Sequence, residues 1–129
     1  MINLDFETAG TAQAMISACR HSNLTSEKIE NVVNKALGIV QENGPYAATL
    51  FLFTRRQSDD QNVAAVVREN LFGKTATLLA IPEVDTSRPE VTLQFLLDNV
   101  CADLGRLLFI KQVWEQTLIY ARHAAKAMK

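Results

Sequence analysis

The chain has 129 residues, of which 48% are apolar and 21% charged, and its formal net charge is −1. That is one domain with enough apolar surface to fold without disulfides or metal, and the balance excludes whole-chain disorder and a chain that is basic throughout. Two cysteines, Cys19 and Cys101, are too few for a disulfide scaffold or a zinc site.

Along the chain, five glycines and three prolines punctuate segments of helical length. Thr8 to His21 carries Ala9, Ala12, Met15, Ile16 and Cys19 at spacings of three and four, the stripe of a helix lying on a core. Thr25 is a good N-cap, followed by an apolar stripe through Ile29, Val32, Val33, Ala36, Leu37 and Val40. Asn43-Gly44 supplies a left-handed end, and Pro45 forbids continuation. Asp59 or Asp60 caps a further stripe, Val63, Val66, Val67 and Phe72, which Gly73 is expected to stop. Residues 82–89 (PEVDTSRP) read as an exposed loop, and Pro89-Glu90 opens a helix through Leu93, Leu96, Leu97 and Val100. The last and longest helix runs from about Asp103 to Met128.

Two segments are ambiguous. Tyr46 to Arg55 is apolar nearly all round, and Lys74 to Ile81 is short and rich in Thr, so each fits a buried helix or a buried strand. The expected fold is therefore an all-α, single-domain helical bundle over residues 1–129 with a long C-terminal helix. The alternative is α+β, with strands at 46–55 and 74–81. No window is apolar and uncharged for the length of a membrane span. The first ten residues carry Asp5 and Glu7 and no Lys or Arg, unlike a secretory signal, so the expected location is the cytoplasm.

The inventory of catalytic groups is thin. His21 and His123 lack a Cys, Asp or Glu at a metal-ligand spacing, and phosphate-binding and dinucleotide loops are absent. Neither metal nor cofactor is expected, and no catalytic residue. Cys19, beside Arg20 and His21, could have an activated thiol, although a small buried hydrophobe suits its place on the stripe better.

Charge distribution is more informative. Residues 106–129 hold five basic residues and one acidic residue, +4, while residues 1–105 hold eight basic and thirteen acidic, −5. Lys111, Arg122, Lys126 and Lys129, spaced by eleven, four and three, share one stripe of the last helix, with His123 beside them. The opposite stripe, Leu107, Trp114, Leu118, Ala121, Ala125 and Met128, is made for packing. Arg55-Arg56 forms a second small basic spot. Such cations also suit a helix C-terminus and a solvated face, so the stripe alone does not define a binding site.

Two stretches together resemble a known family. Val33 to Arg55 (VNKALGIVQENGPYAATLFLFTR) places an Asn-Gly helix end before an apolar, Ala-rich helix. Leu107 to Met128 (LLFIKQVWEQTLIYARHAAKAM) is a long terminal helix with an aromatic, a basic pair and then alanines. In order and spacing both are similar to the small helical fifth subunit of the Cmr complex, the type III-B CRISPR effector that targets RNA. Departures fall at Gly44-Pro45, at Tyr120 and Arg122-His123, and in the acidic stretch 57–62.

The resemblance implies a non-catalytic subunit that stacks against neighbouring subunits, itself included, and touches the backbone of guide and target RNA without reading sequence. Arg122 and His123 occupy the position of the family's basic pair, with His where the family has a second strong base. Lys111, Lys126 and Lys129 join them by spacing, and Arg55 and Arg56 as the second basic spot. The rival readings are a protein-only helical adaptor using the Trp114 stripe as its interface, and a small α+β enzyme.

Overall fold

Helix starts are fixed by side chains that satisfy otherwise unpaired amides. In the computed structural model, which describes residues 2–128, Asn3 Oδ1 accepts the Phe6 amide at 3.1 Å and opens α1 (Leu4–His21). That is a turn earlier than the apolar stripe suggests, because Leu4 reaches the core from the added turn. Thr25 Oγ1 accepts the Lys28 amide at 3.3 Å and starts α2 (Ser26–Phe53) as expected. Asp103 accepts the Arg106 amide at 3.0 Å and starts α5 (Leu104–Ala127). The α1–α2 turn closes through Asn23, at φ 61°, with the Leu24 amide donating to the Cys19 carbonyl at 3.1 Å.

α2 is two arms joined by a sharp break. Gly44 lies at φ 88°, ψ −177°, a conformation open to glycine, and Pro45 begins the second arm. A straight helix of this length would hold its ends about 42 Å apart. Instead, Lys28 Nζ lies 3.5 Å from Gln57 Oε1, four residues beyond the end of α2. The second arm therefore folds back toward the start of the first.

Both ambiguous segments are helical. Tyr46 to Phe53 forms the second arm of α2, and Lys74 to Leu79 ends α3 (Ser58–Leu79); no strand occurs among the described residues. The bundle is all-α, and the α+β alternative does not hold. Gly73 does not stop α3, because Leu71, Phe72, Thr75 and Ala76 are buried on both sides of it and packing outweighs the modest helix penalty of one glycine. The stop comes at Ala80, at φ 55°, where the Ile81 amide donates to the Ala76 carbonyl at 3.0 Å. Nor do Asp59 and Asp60 cap α3. The cap position is Gln57, which makes no capping bond, and the two carboxylates sit in the first turn at the positive end of the dipole.

The loop after α3 is largely exposed but anchored, since Arg68 Nε donates to the Thr86 carbonyl at 3.1 Å while its Nη1 reaches the Leu52 carbonyl at 2.7 Å. α4 (Pro89–Leu96) passes into a π-helical turn, Leu97–Cys101, so the single helix expected through Val100 changes pitch.

The core centres on Trp114, which has no exposed surface. Its ring meets Phe72 edge-on at 5.2 Å, and Phe72 in turn touches Phe95 at 5.8 Å. Its Nε1–H donates to Thr75 Oγ1 at 2.9 Å, and that hydroxyl donates to the Leu71 carbonyl at 2.8 Å. α5, α3 and α4 are thereby locked together.

Trp114→Ala should lower unfolding free energy by about 3–5 kcal/mol, and Thr75→Val, which strands the buried indole N–H, by about 1–3 kcal/mol. Urea titrations followed by circular dichroism check both. Ala80→Gly should do the opposite and raise stability by about 1 kcal/mol, since alanine is strained at a left-handed helix end. An unchanged or lowered melting temperature would count against that strain.

Candidate nucleic-acid interface

α5 presents four distinct sides. Its core side is Trp114, Leu118, Ala121 and Ala125, all buried. Tyr120, Ala124 and Met128 face α1 across a groove that they line with residues of that helix. His123 is exposed on the outward side. The basic stripe occupies the remaining flank, where α5 runs antiparallel to the first arm of α2. Lys126 Nζ lies 3.9 Å from Glu30 Oε1, and Arg122 Nη1 donates to Asn34 Oδ1 at 3.3 Å. Lys111 is paired within its own helix, 3.8 Å from Glu115 Oε1.

The stripe is thus graded in availability. Lys126 keeps 53% of its side chain exposed and Lys111 34%. Arg122 is half-buried, and its Nε is enclosed without a hydrogen-bond partner among the described residues. Lys129 lies outside the described residues.

The reversal at Gly44 brings the second basic spot to the same end. Arg56 adjoins Gln57, which contacts Lys28, two residues from the Glu30 that pairs with Lys126. Arg55 is committed locally: its Nε donates to the Phe51 carbonyl at 3.0 Å, and its guanidinium lies 3.7 Å above the Phe51 ring. Arg56 is exposed.

Lys28 was missed in the sequence because it sits between Glu27 and Glu30 and only the fold gives it basic neighbours. In the sequence Arg20 and His21 stand out only as neighbours of Cys19. Both are exposed and border a hollow with Gln13, Ser17 and Met128, at the end where α1 hands over to α2.

What gathers here is charged and superficial, the cations standing among the carboxylates of Glu27, Glu30, Asp59 and Asp60. Among the described residues, no three His, Cys, Asp or Glu side chains meet in a group that could hold a metal ion, and no helix is long and apolar enough to cross a membrane. Trp114 itself offers no contact surface to a partner, because the indole is sealed inside. The arrangement defines a helical bundle with a charged end. No family model matches the chain, and neither a curated protein nor a solved structure matches it.

The cysteines follow burial. Cys19 is fully enclosed, and desolvation pushes its thiol from 9.0 up to about 11; burial also raises that of Cys101. Above pH 9 the unfolded chain loses the Cys19 proton first, so this contribution to stability is present below pH 9 and is lost as pH rises toward 11. Melting curves across that range should fall less steeply for Cys19→Ala than for the parent. Parallel curves would show that Cys19 does not govern the alkaline loss.

Proposed function

We propose that this protein is a non-catalytic helical subunit that holds the sugar–phosphate backbone of RNA at its charged end and packs against neighbouring subunits. What supports the reading above all is that exposed Lys126 lies against the first turns of α2, the end of the bundle that also carries Lys28 and, next in sequence to its partner Gln57, exposed Arg56. His123 stands exposed on α5 close to Lys126 in sequence, and Arg122 is held by Asn34. Flexible lysines and an exposed arginine suit phosphates, whose contacts carry no base information. The resemblance of residues 33–55 and 107–128 to the fifth Cmr subunit supports an RNA-guided effector assembly as the setting.

Titrating single-stranded RNA against rising salt tests this. About four backbone contacts give a log–log slope of roughly −3. Arg56→Glu with Lys126→Glu should weaken binding by about tenfold or more, flatten the slope by about one to two, and leave melting unchanged. Oligomers of equal length and different sequence should bind alike. RNA affinity untouched by the double reversal would leave the cations as a solvated surface and favour a protein-only subunit.

A further inference from the structure

The other flank of α5 carries a different surface. Between α1 and α5 runs an open groove of ≈ 460 Å³, walled by Ala9, Gln13 and Ile16 on one side and Tyr120, Ala124 and Met128 on the other. Phe6 stands at its mouth with 70% of its surface exposed, and Met128 at the far end is 41% exposed. Beyond Met128 the groove continues into the hollow bordered by Arg20 and His21.

Along α1 the outward residues are Phe6, Ala9, Gln13, Ser17 and Arg20, all exposed and all on one side of the helix by spacing. Small side chains at Ala9 and Ser17 allow another helix to approach closely. Charge is asymmetric along this face: Asp5 lies beside Phe6 at one end and Arg20-His21 at the other, about 21 Å apart. An occupant must therefore be cationic where Phe6 and Asp5 stand and acidic and aromatic where Arg20 stands. The same face turned end to end meets that requirement.

We propose that the groove is the contact surface of an antiparallel, two-fold homodimer in which α1 packs against α1 of a second copy. Phe6 and Arg20 are each seven residues from Gln13, so a two-fold axis at Gln13 sets the Asp5–Phe6 corner of each copy against Arg20 of the other. Each aromatic ring gains a cationic partner and each Asp5 an opposite charge, twice by symmetry. Asp5 also accepts hydrogen bonds from the Tyr120 hydroxyl and Gln116, which fix the carboxylate at the edge of the groove. The pairing occupies the α1 flank, leaves Lys126, Lys28 and Arg56 uncovered, and needs no RNA.

Sedimentation equilibrium of the full chain, without RNA, is the first measurement. The parent should be a dimer at micromolar concentration, and Arg20→Glu should raise its dissociation constant by about tenfold or more with circular dichroism and melting of the monomer unchanged. The second measurement maps the axis. In a Cys101→Ser background, Gln13→Cys should be cross-linked to itself by a short bismaleimide, while Asn31→Cys, exposed on α2, should not. A parent that stays monomeric at about 500 μM, a dimer indifferent to Arg20→Glu, or equal cross-linking at both positions would each overturn the proposal.

Discussion

A buried indole has one polar atom, and the protein must find it a partner. Here the partner is Thr75, which lies in the part of α3 beyond Gly73. The hydroxyl accepts from Trp114 and donates to the Leu71 carbonyl, so both of its hydrogen-bonding roles are filled locally. This relay requires α3 to stay helical through a glycine and requires α5 to stand at one axial position against it. With Phe72 and Phe95 completing the aromatic contacts, the register of three helices follows from one side chain. The sides of α5 that remain, toward α1, toward α2 and toward solvent, are then fixed by helical geometry.

The break at Gly44 is the second constraint. Its positive φ reverses the chain, and Thr49, whose hydroxyl donates to the Pro45 carbonyl at 2.8 Å, steadies the first turn of the returning arm. Without the reversal, Gln57 would stand a helix length away from Lys28. Arg68 holds the returning arm by the Leu52 carbonyl and ties the loop after α3 to the same place, with its guanidinium 4.1 Å above the Phe53 ring. One arginine thus joins α2, α3 and the Pro82–Pro89 loop, at the cost of a guanidinium whose pKa is lowered by burial.

Helical periodicity made the apolar stripes legible because each stripe faces the core in its own helix, and Thr25, Gly44 and Asp103 marked boundaries by local chemistry. Gly73 misled because a glycine's helix penalty is small against the burial of Phe72 and Thr75, which depends on residues distant in sequence. Helix or strand at residues 46–55 could not be settled from composition, since a segment buried on most sides has no period to read. The basic stripe was visible in the spacing of Lys111, Arg122 and Lys126, but its facing side was not: nothing local announces that Glu30 and Asn34 lie opposite. Lys28 could be seen as part of the charged end only after the chain reversal at Gly44.

That facing side changes what each cation can contribute. An exposed ion pair such as Lys126–Glu30, with 53% of the lysine in solvent, is worth about 0–1 kcal/mol, so a phosphate can compete for the ammonium at little expense. Arg122 is different. Its Nε is enclosed and its Nη1 is spent on Asn34, so moving it outward would give up packing as well as a hydrogen bond. The two residues are one helical turn apart on the same stripe yet divide the work. Arg122 adds a polar tie to the apolar contact between α5 and α2, and Lys126 stands at the edge of that contact against Glu30. A stripe that looks uniform in sequence is thus a half-buried arginine followed by a lysine with 53% of its side chain in solvent.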